Sequence, residues 1–171
     1  MPRSVLHDLI VCFVLLPSLF CPMAWAATIT VDTTADDLTT NGNCTLREAI
    51  RAAEFNTAVD TCTAGDDNND TIDLASVNGT ISLGAVLPTI TKDLTITGPG
   101  ASRLTVDGNG ISGVFDINSS TNDQTLTISG LTVTGGNDIS SGGGFFVGTG
   151  DTLNLSSCVI DNNRAPQGGG I

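Results

Sequence analysis

Beyond residue 26 the chain has no histidine and no tryptophan, because His7 and Trp25 both lie in the first 26 residues, and it has no tyrosine anywhere. Aromatic residues make up 4% of a chain that is 40% hydrophobic, so its core must be built from aliphatic side chains. The rings on which sugars usually rest are scarce for the same reason. Basic residues are few as well: 6 Lys and Arg stand against 18 Asp and Glu, for a net charge of -12. Arg3 and Asp8 cancel, so the whole of that charge falls after residue 26. Such a surface repels nucleic acid and anionic membranes, and its acidity reads as the solubility of an extracellular protein. The 171 residues suffice for one domain of ordinary size.

What is present begins with an address. Arg3 supplies a positive start, Leu9 to Phe20 is almost wholly apolar, and Ala24-Trp25-Ala26 places small residues where a signal peptidase reads them. Residues 1–26 are therefore expected to be a signal peptide cleaved after Ala26. A membrane anchor would need about 20 apolar residues; this run is shorter and carries Pro17. Cys21 follows Phe20, too bulky a residue for a lipoprotein site. Export to the extracellular space or a bacterial cell surface, in oxidising surroundings, follows. No membrane insertion is expected once the leader is removed.

Residues 27–70 read as an N-terminal cap. Thr28 to Val31 alternates and is β-branched, as a strand would be. Thr45-Leu46-Arg47-Glu48 is a capping box, in which the Thr45 hydroxyl accepts from the Glu48 amide and Glu48 reaches back. Leu46, Ala49, Ile50 and Ala53 follow at helical spacing, Phe55 extends the apolar side, and Asn56 suits a C-terminal cap. Cys44 and Cys62 bracket this helix, 18 positions apart. In an exported protein they read as a disulfide, for which loop entropy predicts about 3 kcal/mol; a metal pair lacks a nearby histidine or third cysteine. Asp66, Asn68 and Asp70 alternate as oxygen ligands of calcium do, without the glycine and distal glutamate of a complete loop. They are the only metal candidates; no other cofactor is expected.

Residues 71–171 repeat. A spacing of 27 carries Leu104 to Leu131 to Cys158, and Val106 to Val133 to Ile160. Leu94 and Ile96 lie 32 before Leu126 and Ile128, which requires one longer corner after Ile96. A fixed period with apolar residues in equivalent places marks a solenoid. The expected fold is all-β: a right-handed parallel β-helix of three short strands per rung, with an α-helix capping its start. The strands fall at Thr71 to Leu74, Thr80 to Leu83, Leu94 to Thr97, Leu104 to Asp107, Val114 to Ile117, Leu126 to Ser129, Leu131 to Thr134 and Phe145 to Val147. Leu153 to Ser156, Cys158 to Asp161 and Gly168 to Ile171 complete the last rung. Leu104, Leu131, Cys158, Val106, Val133 and Ile160 form the core ladder, with Cys158 as a buried small hydrophobe.

Glycine triplets at Gly142 to Gly144 and Gly168 to Gly170 read as tight corners, because no lysine or helix start follows to make a phosphate cradle. Asn137, Asn162 and Asn163 suit left-handed corners. Thr95/Thr97 and Thr132/Thr134 repeat as Thr-x-Thr, a pattern found on ice-binding faces and also simply on outward strand faces; it decays to Thr127/Ser129 and Asn154/Ser156. The chain stops at Ile171 as a strand begins and nothing there resembles a cap, which reads as truncation.

Cys44-Thr-Leu-Arg-Glu-Ala-Ile50 resembles the signature of the CSLREA domain, with Thr45 where the name has serine. Cys62, Thr71-Ile-Asp-Leu74 and Leu94-Thr-Ile-Thr-Gly-Pro-Gly-Ala101 are similar to its continuation. The glycine triplets with Asn162 and Asn163 are similar to repeats of bacterial surface β-helices, including the polymorphic outer-membrane and adhesin-like proteins. The resemblance implies a secreted or surface β-helix whose helix caps the first rung, and brings no catalytic residues with it.

Two functions compete. One is a non-catalytic, adhesin-like display or binding module whose partner is a surface protein or a glycan. The other is a polysaccharide lyase or hydrolase, by analogy of fold. The carboxylates available to the second are Asp107, Asp116 and Asp161, no two at one strand position on neighbouring rungs, and the bases near corners are Lys92, Arg103 and Arg164. That inventory favours the first, and no catalytic residue is assigned.

Overall fold

The computed structural model describes residues 26–67, 69–119 and 123–171. Residues 1–26, expected to be a signal peptide, therefore lie outside the described residues except for Ala26, and so does Asn68. The chain forms β1 (Thr28–Thr30), α1 (Leu46–Phe55), β2 (Asp70–Asp73), β3 (Gly79–Ser82), β4 (Leu94–Thr97) and β5 (Leu104–Asp107). It continues through β6 (Phe115–Ile117), β7 (Thr125–Ser129), β8 (Thr132–Thr134), β9 (Phe145–Val147), β10 (Thr152–Ser156) and β11 (Val159–Ile160). Apart from β1 and β2, which α1 separates in the chain, sequential strands do not pair. Each pairs with its equivalent one coil away, giving sheets ordered β1-β2-β4-β7-β10, β11-β8-β5-β3 and β6-β9. Every strand pairing is parallel. The result is a parallel β-solenoid of about three turns, with one α-helix among the described residues.

The register is the one the repeat dictates. Val106 pairs with Val133, and Val133 with Ile160. Leu94 pairs with Leu126 and Ile96 with Ile128, across the longer spacing of 32. The extra residues occupy the 98–103 corner, where the Gly98 and Gly100 amides donate to Ser129 and Gly130 carbonyls of the next coil, both at 2.7 Å. Strand alternation turns Ile29, Ile72, Ile96 and Ile128 inward in one column, all fully buried. Ile81, Val106 and Val133 make a second buried column. Burying each such side chain stabilises the fold by about 1.5–3 kcal/mol. Leu104 and Leu131 are fully buried, whereas Cys158 is half buried on the last coil beside the half-buried Leu153, Leu155 and Ile160.

The cap is held by several independent ties. Thr45 begins α1 with both halves of the capping box: the Glu48 amide donates to Thr45 Oγ1 at 3.1 Å and the Thr45 amide to Glu48 Oε2 at 3.0 Å. Asn56 ends the helix in the left-handed conformation. Leu46, Ala49, Ile50, Ala52 and Ala53 are buried, and α1 packs against β1 and β2 at the head of the core. Cys44 and Cys62 are disulfide-bonded. Arg47 clamps two loops at once. Its guanidinium takes the Asp36 carboxylate with two nitrogens, at 2.7 and 2.9 Å, and donates to the Ala85 and Val86 carbonyls at 2.7 and 2.8 Å.

Three expectations need correcting. Phe55 does not extend the apolar side of α1; it is 68% exposed, with the Arg51 guanidinium 5.9 Å from its ring centroid. Gly168 to Ile171 is not a strand. Its carbonyls instead receive a run of amides: Gly142, Gly143, Gly144 and Phe145 donate to Gln167, Gly168, Gly169 and Gly170. One triplet thus stacks directly on the other, and a Cβ at Gly144 would lie 2.5 Å from the Gly170 carbonyl oxygen. The first glycine of each triplet, Gly142 and Gly168, turns at positive φ as expected, and the triplets also allow this close approach. Of the three asparagines, only Asn162 adopts positive φ. Asn163 binds the neighbouring coil through its side chain, accepting from the Gly136 amide at 2.8 Å and donating to the Val133 carbonyl at 3.0 Å. Asn137 donates to the Gly110 carbonyl at 3.1 Å.

Two substitutions separate core from surface on the same sheets. Leu131→Ala should lower unfolding free energy by about 2–5 kcal/mol and Thr127→Ala by about 0.5 kcal/mol or less, read by urea denaturation. Arg47→Lys, which loses the two-pronged grip on Asp36 while keeping the charge, should cost about 1–3 kcal/mol in the same measurement.

Candidate functional site

The third side of the solenoid, β6 and β9, carries the groove that best qualifies as a site. Alternation turns Phe115 and Ile117 inward and Asp116 outward, and turns Phe145 inward and Phe146 outward. The two inward rings stack, with centroids 5.1 Å apart and planes 7° from parallel. The register sets Asp116 directly beside Phe146. A bridge between Ile90 and Ile117 brings Thr89 to the other side of Asp116. The Thr89 hydroxyl donates to Asp116 Oδ2 at 3.0 Å. Asp116 Oδ1 is shielded from solvent and has no hydrogen-bond partner among the described residues.

A second carboxylate enters from the corner before β9. Asp138 Oδ1 accepts from the Ser140 amide and hydroxyl, both at 2.8 Å, and from the Ser141 amide at 3.2 Å. The Ser140 donors first, with Ser141 and the Gly113 backbone, hold the Asp138 carboxyl below its ordinary range. Asp138 itself is fixed to the following coil, its amide donating to the Arg164 carbonyl at 3.0 Å. Between these groups lies a cavity of about 280 Å³ lined by Val86, Ser112, Asp116, Asp138, Ser141 and Phe146, among others. A second hollow of about 280 Å³, reaching Val147, Gln167 and Ile171, shares Ser141, Gly142 and Phe146 with the first. The two form one groove along the stack of coils, and Phe146 stands between its halves. No lining residue of either half is basic.

Chemically this groove offers groups that bind hydroxyl-bearing molecules. Carboxylates and serine hydroxyls accept and donate hydrogen bonds, and the ring of Phe146 offers an apolar face. A general acid needs a carboxyl whose pKa is raised, and that of Asp138 is lowered.

The other carboxylates named from sequence are dispersed. Asp107 pairs in register with Thr134. Asp161 follows Ile160 on the next coil, and its amide donates to the Val133 carbonyl. The two acids therefore flank Thr134 on the second sheet, away from Asp116. Lys92 Nζ donates to Asn56 at 2.8 Å and lies 3.6 Å from Asp67, and Arg103 donates to Asn78 at 2.8 Å. Neither lines the groove. Asp70, read as a calcium candidate, is 2% exposed and accepts from the Ala27 amide at 2.9 Å and the Asp66 amide at 3.1 Å. Its oxygens serve these backbone donors and the Asp66 side chain. Among the described residues no group of three or more His, Cys, Asp or Glu side chains could hold a metal ion. On the first sheet Thr71, Thr95 and Thr127 align outward, but Asp73 aligns with Thr97 in the adjacent column and breaks the hydroxyl array with a charge.

Asp138 and Phe146 went unnoticed in the sequence, although Asp138-x-Ser140-Ser141 has the spacing of an aspartate that bonds its own turn. No family model, curated protein or solved structure matches the chain.

The Asp138 turn gives a pH prediction. Because its folded pKa is depressed, the turn is stabilised above the ordinary carboxylate range near pH 4 and loses that support as pH falls through the folded value. Amide exchange at Ser140 and Ser141 should therefore accelerate in acid relative to the rest of the groove, and in Asp138→Ala it should already be fast at neutral pH.

Proposed function

We propose that this chain is an exported, non-catalytic β-solenoid module whose groove binds a hydroxyl-rich surface ligand, a glycan, in an adhesin-like role. The observation that carries the reading is the outward ring of Phe146 set between hydrogen-bonding groups in an open, uncharged-to-acidic groove. An aromatic face packs against the C–H side of a sugar ring, and the carboxylate of Asp138 and the serine hydroxyls that line the groove suit its hydroxyls. The Cys44–Cys62 disulfide supports export, as does the leader-like start, and no helix among the described residues is long and apolar enough to cross a membrane. The likeness of Cys44 to Ile50 to the CSLREA signature supports a surface role. In the fold that likeness has a physical content: disulfide, helix cap, core contacts and the Arg47 clamp all fall within those seven residues. The lyase or hydrolase reading is less favoured: of the acids named from sequence only Asp116 reaches the groove, and the lowered pKa of its neighbour Asp138 does not suit that group to act as a general acid.

Titration calorimetry against a panel of neutral and acidic oligosaccharides tests the proposal. A neutral sugar should bind with no product released, and Phe146→Ala should weaken it about tenfold, roughly 1.4 kcal/mol, with an unchanged melting temperature. Binding confined to surface proteins, undiminished binding by Phe146→Ala, or turnover of any sugar would contradict it.

A further inference from the structure

The entry to β1 carries a second feature that the groove does not use. Ala26 is exposed and Ala27 half buried. The Ala27 amide donates to Asp70 Oδ1 at 2.9 Å, and its carbonyl accepts from the Thr71 amide at 2.8 Å. Asp70 is buried at the start of β2. Its carboxylate is boxed in, because a Cβ on Gly65 would collide with Oδ2, and the Asp66 amide donates to it at 3.1 Å. Among the described residues no cationic side chain pairs with Asp70. Burial pushes its carboxyl above the ordinary range, the Ala27 and Asp66 amides oppose this, and the charge and side-chain hydrogen bond of Asp66 add to it. A buried carboxylate with no cation beside it lacks the counter-charge such groups normally have.

The sequence supplies one. Ala24-Trp25-Ala26 sets signal-peptidase cleavage at the bond joining Ala26 to Ala27. We propose that this cleavage completes the Asp70 site: the α-ammonium of the new N-terminal Ala27 forms an ion pair with the Asp70 carboxylate and fastens β1 to β2. The proposal rests on the export reading above. Hydrolysis adds one water across the peptide bond. The carbonyl carbon of Ala26 takes the oxygen and departs as a carboxylate, while the nitrogen stays on Ala27 and becomes –NH₃⁺. That nitrogen already stands at the distance of a charge-assisted hydrogen bond, so no rearrangement is needed. The remaining ammonium protons face solvent on the exposed side vacated by Ala26, which keeps desolvation small. β1 is a three-residue strand at the edge of its sheet, held by its register with Thr71, Ile72 and Asp73. Its attachment thus becomes tighter only when the leader is gone.

The test is made on the full chain, expressed with its own leader in an exporting host and purified from the exported fraction. Mass spectrometry should find the chain beginning at Ala27. Its amine should react with an acetylating reagent at neutral pH about tenfold more slowly than that of a peptide beginning with the same residues. A chain that retains Ala26 should unfold at lower urea than the processed chain, and in an Asp70→Asn background the two should unfold together. A different N-terminus overturns the proposal at its premise. An Ala27 amine that reacts as freely as the peptide's overturns the ion pair while leaving export intact, and that measurement needs no variant to fold.

Discussion

The structure depends on one constraint: inward-facing side chains of each coil must rest on like side chains of the coils above and below. Backbone hydrogen bonds run between coils, so every strand is paired by a segment 24 to 43 residues away, as in Asp70 with Leu94 and Thr28 with Thr71. A single-residue slip would turn Ile72, Ile96 and Ile128 outward and Thr71, Thr95 and Thr127 inward. The pattern of isoleucine inside and threonine outside therefore fixes register more firmly than any individual hydrogen bond does. It also explains the composition. A narrow interior filled in columns takes Ile, Leu and Val, and admits aromatics only where two of them stack, as Phe115 and Phe145 do.

A solenoid needs its open apolar end covered, and the head of this one is covered by a helix with few strong features of its own. Ten residues are too few to form a stable helix alone. The capping box, the disulfide, the Arg47 clamp and five buried apolar side chains compensate. Asp70 belongs to the same assembly, since it joins the first strand to the second from below the helix. The Arg47 tie reaches the Ala85 and Val86 carbonyls, so the cap is fastened to the coils it covers.

The period of 27, the capping box, the helix stripe and the cysteine pair were all legible in the chain, because each is a relation between near neighbours or between equivalents one repeat apart. The groove was not. Asp116, Asp138 and Phe146 meet because the corner between β8 and β9 differs in length from the corner before β6, so Phe115 pairs with Phe145 at a spacing of 30, not 27. Asp36 was hidden for a similar reason: an acid in a polar loop becomes a partner of Arg47 only when α1 folds beside it. Gly168 to Ile171 misled in the opposite direction, since a segment in the right place of the repeat lacked the side chains that make a strand.

The coil-on-coil register is best tested by cross-linking. In a Cys158→Ser background, cysteines placed at Thr105 and Thr132 sit on directly paired positions of neighbouring parallel strands, within reach of a disulfide. Peptide mapping after mild oxidation should recover that bond within one chain, and none between cysteines at Thr105 and Thr127, which lie on different sheets. Efficient bonding of the second pair and not the first would contradict the stacked solenoid.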